Sequence, residues 1–157
     1  MLARQILLST SLALCAALLP AAQPLSSLDC QSGPGSGRWE LPSGSGKSDG
    51  FIDGVLYLAP ADTYRFSFSA TLTDVPSPSL STFTGTIEGS LDDGFGPAPD
   101  YLVKGSYSGS VFTYQGSFTC EIRTLTGTVV GKIDGTFSDP PTSTTPGSFT
   151  GEWKICQ

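Results

Sequence analysis

The sequence predicts an all-β fold: about eight antiparallel strands, a meander closed as a small barrel, with a β-sandwich as the alternative. Three observations carry this. The chain has 19 Gly and 12 Pro among 157 residues, so a long helical bundle is excluded. After residue 37, apolar runs alternate with turn clusters about every ten residues, the spacing of an all-β domain. Within the runs, apolar and polar residues alternate with period two, as in antiparallel strands buried on one face.

Residues 1–22 read as a secretory signal. Arg4 gives a positive start, Ile6 to Leu19 is mostly apolar, and Pro20-Ala21-Ala22 offers small residues for cleavage. That stretch is short for a membrane span and has no successor, so no span is expected after signal removal. The expected location is secreted or periplasmic. Residues 23–37, QPLSSLDCQSGPGSG, read as a flexible Pro/Gly/Ser arm. Residues 38–157 read as a single β domain.

Strands are expected near 38–42, 50–59, 64–73, 82–91, 101–112, 116–123, 126–137 and 148–156. In the fourth, Phe83, Gly85, Ile87, Gly89 and Leu91 share one face, and Thr84, Thr86, Glu88 and Ser90 share the other. The seventh sets Leu125, Gly127, Val129, Gly131, Ile133, Gly135 and Phe137 on its dry face. The eighth does so with Phe149, Gly151, Trp153 and Ile155. Gly packs nothing and weakens a strand, so its repeated use on a dry face needs a reason. A narrow closed barrel supplies one, because large residues fit only beside small ones. First and last strands are expected to meet, bringing Trp39 near Trp153.

The net charge is −6, and −7 once Arg4 leaves with the signal. An acidic surface without clustered Lys and Arg argues against nucleic-acid binding and against anionic membranes. Cys15 would leave with the signal, and Cys30, Cys120 and Cys156 remain. An exported chain meets an oxidising compartment, so one disulfide is expected. Cys30–Cys156 is favoured because the two flank the folded region.

The chain has no His, which removes the Ser–His–Asp triad, the Cys–His pair and imidazole metal sites. Gly44-Ser45-Gly46-Lys47-Ser48 lacks the first Gly and the strand-to-helix setting of a phosphate loop. No enzyme activity and no cofactor are expected. Asp92, Asp93 and Asp100 form a weak calcium candidate in a loop whose spacing is not that of an EF-hand. A plain solvated loop explains them as well. Asp53 falls in phase with Phe51, Val55 and Tyr57. If that face is the interior, Asp53 is a polar anchor for a ligand in a lumen lined by Tyr64, Tyr101, Tyr107, Trp39 and Trp153. Otherwise Asp53-Gly54 reads as a turn or bulge.

Strand two is apolar on both faces. Ile52, Leu56 and Leu58 are then an outer set that a partner, a second copy or the arm must cover. Phe95 at a loop tip, with Phe112 and Tyr114 near a turn, are further candidates for an interaction surface.

Gly37-Arg38-Trp39 resembles the Gly-x-Trp with which eight-stranded calycin barrels, such as lipocalins and avidins, often open. Bacterial inhibitors of secreted metalloproteases are similar in shape and use an N-terminal arm. The overlap is three residues and a strand count, and it carries over no functional residue. The expected function is a secreted non-catalytic interaction or structural module. A small-ligand barrel and an arm-using protease inhibitor are the alternatives. The partner is an unknown protein or a small apolar ligand, and the oligomeric state is unknown.

Overall fold

A computed structural model describes residues 29–77, 79–138 and 145–157. Eight strands follow in order: β1 (Cys30–Glu40), β2 (Gly50–Leu58), β3 (Thr63–Val75), β4 (Thr82–Asp92), β5 (Tyr101–Ser110), β6 (Gly116–Arg123), β7 (Val129–Ser138) and β8 (Gly147–Cys156). Each pairs antiparallel with the next, and β1 pairs with β8, so the sheet is a closed barrel with no free edge. Among the described residues no helix is long and apolar enough to cross a membrane.

The interior is one hydrophobic core. Trp39, Ile52, Leu56, Phe66, Phe68, Leu72, Ile87, Leu91, Ile122, Ile133, Phe149 and Trp153 are its largest fully buried side chains. Among the described residues no polar or charged residue is buried. Glycines make room for the large rings. An added Cβ at Gly85 would lie 2.4 Å from the Tyr107 ring, and at Gly109 2.3 Å from the Phe83 ring. At Gly135 it would lie 2.4 Å from the Phe118 ring. Each ring belongs to the residue paired with that Gly on a neighbouring strand, so an aromatic lies flat over each gap.

Three expectations change. Residues 30–37, assigned to the arm, are the body of β1. Cys30 through Gly37 pair with Cys156 through Phe149. Large neighbours fill the space above the glycines of β1: Leu56 over Gly35 and Phe149 over Gly37. Residues 23–28 lie outside the described residues. Second, β7 starts at Val129. Leu125 and Gly127 belong to the β6–β7 turn, where Gly127 has φ +93, and Leu125 and Val129 are exposed. The register slips between Ile122 and Arg123, which frees these residues from the inside/outside alternation.

Third, Trp39 and Trp153 do not meet. β1 and β8 do pair, but Trp153 sits opposite Gly33 and Trp39 opposite Gly147. At about 3.3 Å per residue the two indoles are on the order of 20 Å apart along the barrel. Trp39 packs with Phe83 and Phe137, and Trp153 with Phe66.

The Cys30–Cys156 disulfide bridges a directly opposed pair of β1 and β8, with Cα atoms 4.1 Å apart. Beyond it, Asp29 and Gln157 exchange backbone hydrogen bonds in both directions. A disulfide of this kind fits an oxidising extracellular or periplasmic setting.

Candidate functional site

The residues expected to line a lumen are mostly in the core, but they enclose no polar anchor. Trp39, Tyr107 and Trp153 are buried among other rings, Tyr101 is half-buried against Phe66, and Tyr64 is exposed at the rim. Both indoles spend their N–H on the backbone. Trp39 Nε1 donates to the Ser138 carbonyl at 3.2 Å, and Trp153 Nε1 to the Tyr57 carbonyl at 2.8 Å. Only the Tyr107 hydroxyl is left over: it is buried and has no hydrogen-bond partner among the described residues. Burial, then the nearby Asp74 charge, pushes its pKa up.

Asp53 is outside the barrel. It lies in mid-strand opposite Arg38 of β1, whose Nε donates to both carboxylate oxygens at 3.0 and 3.1 Å. The phase of β2 is the reverse of the one that would make Asp53 an anchor. Ile52 and Leu56 are fully buried, whereas Phe51, Val55 and Tyr57 are only half-buried on the outer face. Ile52 and Leu56 therefore leave the interaction-surface set, and Leu58 packs partly against the core past a register shift at Tyr57. One signal settles this phase in the sequence. Gly50, Ile52, Gly54 and Leu56 alternate Gly with a large residue, as the dry faces of β4 and β8 do.

Asp92, Asp93 and Asp100 do converge, with carboxylate oxygens within 4.8 Å of one another. Each is already committed to its loop. Asp100 accepts the Asp93 N–H at 2.7 Å, Asp92 the Gly94 N–H at 2.7 Å, and Asp93 the Phe95 N–H at 3.0 Å. Arg65 approaches Asp93 at 3.6 Å. This is the pattern of acids shaping a turn.

From β4 through β8 to β1 the outer face is mostly polar and ordered by register, in contrast to Phe51, Val55 and Tyr57 on β2. Thr84, Ser108, Ser117, Thr136, Thr150 and Ser36 stand opposite one another in succession from β4 through β8 to β1. A parallel row carries Glu88, Lys104, Glu121, Lys132 and Lys154, with a Lys104–Glu88 pair at 2.9 Å. In the row between them, Asp134 accepts from Thr119 at 2.6 Å and pairs with Lys132 at 2.5 Å. Those contacts, Lys132 first, hold its carboxyl below the ordinary Asp range.

The exposed apolar residues divide between the two ends of the barrel. In an up-and-down meander the β1–β2, β3–β4, β5–β6 and β7–β8 connections share one end. Phe95, which is 92% exposed, sits at the acidic end with both described termini, as do the less exposed Tyr64, Leu102, Leu125 and Val129. Phe112, 79% exposed, and the exposed Tyr114 sit at the other end, joined by Val75 and by Leu80, which the sequence reading missed. A lone Leu among Pro and Ser carries no periodic signal, so only its position on the closed barrel marks it out.

The class these features define is an eight-stranded up-and-down barrel with a filled interior and a polar exterior. No protein-family model matches the chain, and no curated protein or solved structure matches it either.

Proposed function

We propose that this protein is a secreted or periplasmic, non-catalytic β-barrel module that acts through its outer surface and its loop ends. One observation carries the reading: the interior is occupied by the chain's own side chains, with aromatics covering the glycines that would otherwise open a lumen. A carrier needs space and a polar anchor inside, and the acid suggested for that role pairs with Arg38 outside. The disulfide supports the oxidising compartment. The inhibitor alternative used an arm at 23–37, of which residues 30–37 pair with β8 and Gly35 to Gly37 also with β2, while residues 23–28 lie outside the described residues.

The test combines native mass spectrometry of the exported protein with two substitutions, Gly105→Val and Gly131→Val. A Cβ at Gly105 would lie 2.1 Å from the Thr119 carbonyl and at Gly131 2.1 Å from the Lys154 carbonyl. A filled barrel gives a mass without retained ligand, and both variants fail to fold through overpacking. A discrete extra mass that vanishes on denaturation, with either variant folded but empty, establishes the carrier instead.

A further inference from the structure

We propose that the barrel end carrying Leu80 and Phe112 docks on an uncharged, zwitterionic lipid surface, with these two side chains as its inserting tips. The inference rests on the reading of the barrel as an outward-acting module. The two tips are one feature. Leu80 precedes Ser81 in the β3–β4 connection, Phe112 follows Val111 in the β5–β6 connection, and the Val111 N–H donates to the Ser81 carbonyl at 3.1 Å. Leu80 is 101% exposed and Phe112 79%, so both project rather than pack.

The surroundings suit a medium without water. No Asp, Glu, Lys or Arg occurs from Val75 to Ile87 or from Gly105 to Cys120. Insertion there desolvates no charge on either segment. The described charges at this end are Glu40, Lys47, Asp49, Asp74 and the Arg38–Asp53 pair; they lie on β1 and β2, on the β1–β2 loop and at the end of β3 bonded to that loop. Asp139 lies outside the described residues. Several polar atoms of the tips bind one another. Ser77 and Thr82 hydroxyls are 2.7 Å apart and Ser79 and Ser81 hydroxyls 2.6 Å. Ser110 accepts the Phe112 N–H through its hydroxyl and the Tyr114 N–H through its carbonyl. Internal satisfaction of this kind is what an apolar medium demands of a loop.

Lipid fits better than protein. A stable protein interface buries roughly 800 Å² per partner, more than two projecting side chains offer. A bilayer takes projecting side chains singly. Its headgroups must be neutral overall. The chain is acidic, and this end has two described cations to attract an anionic surface, Lys47 and Arg38, the second neutralised by Asp53. The acids Asp62, Asp92, Asp93 and Asp100 lie at the far end, which sets the orientation.

The experiment is cosedimentation of the exported protein, its N-terminus fixed by mass, with phosphatidylcholine vesicles. Wild type, Leu80→Ser/Phe112→Ser and Phe95→Ser are compared, with thermal midpoints recorded for each. The expected result is that wild type and Phe95→Ser bind equally and the double variant binds at least about tenfold less, with all three midpoints alike. Absence of wild-type binding, equal binding by the double variant, or loss on Phe95→Ser overturns the proposal. So does a tip-dependent dimer without vesicle binding, which would assign the tips to a second copy. A retained interior ligand would sink the module reading while leaving the vesicle result to stand or fall separately.

Discussion

Trp39 and Trp153 lie on paired strands and yet serve opposite ends of the same interior, each tying its indole N–H to the carbonyl of a strand it does not belong to. Trp39 closes the end near Ser138 and Trp153 the end near Tyr57. Each therefore links ring packing to backbone closure at its own mouth of the barrel.

Independent anchors should add. Trp39→Phe and Trp153→Phe each strip a donor from a carbonyl and leave a gap, and each is expected to cost about 2–4 kcal/mol. In urea unfolding the double variant should equal the summed single losses within about 0.5 kcal/mol. A larger coupling would mean the two indoles share packing after all.

Gly35 and Leu56 provide the opposite case. An added Cβ at Gly35 meets Leu56 Cδ2 at 2.5 Å and no other atom closer than 3.6 Å. Gly35→Ala alone should cost about 1–3 kcal/mol by overpacking. Combined with Leu56→Ala, which itself costs about 2–5 kcal/mol, the loss should fall below the sum by more than about 0.5 kcal/mol. No such rescue is expected at Gly33, where the obstruction is the Tyr57 carbonyl at 1.9 Å.

These glycines also mark how far the fold was legible from sequence. The eight strands and the meander follow from period-two alternation and the placement of turn residues, and the Cys30–Cys156 pair from two cysteines flanking the folded region of an exported chain. The first strand was concealed because Cys30 to Gly37 has the composition of a linker. Its side chains are missing because those of β2 and β8 occupy the space, a fact only pairing reveals. In β2 the apolar residues fall on both faces, and only the Gly/large alternation identifies the inner one, which puts Asp53 outside. The Leu80–Phe112 tip depends on two connections being neighbours in space, which no local pattern encodes.

The disulfide closes a loop across 126 residues of sequence. Reduction, or Cys30→Ser/Cys156→Ser, is expected to lower stability by about 4–5 kcal/mol in the chain-entropy account. That should appear as a fall of on the order of 10–20 °C in thermal midpoint, with the barrel's circular dichroism retained at room temperature. A change under about 1 kcal/mol would show that β1–β8 pairing alone restrains the ends.

Cys120 is 2% exposed, with its Sγ against Gly105. Burial, then the Asp134 charge, pushes its thiol up to about 12. A thiol-labelling reagent at pH 8 should leave native protein untouched and label one cysteine after unfolding. Linkage gives the sign at high pH. The folded pKa is raised, so the contribution is fully present below the ordinary thiol pKa of about 8.5. It is lost as pH rises from there through the folded value. The thermal midpoint should fall across that window, and less steeply in Cys120→Ala. Labelling of native protein at the rate of a free thiol would contradict this burial.

Ring closure has a consequence in time. Cys30 to Trp39 of β1 pair with β8, the eighth strand in chain order. Until β8 is made, β1 has only β2 beside it, along Gly35 to Glu40, and the growing sheet keeps two open borders. The finished protein offers other chains no border at all. Its vulnerable moment is therefore its birth, and delivery of the whole chain before any sheet forms would spare it that interval.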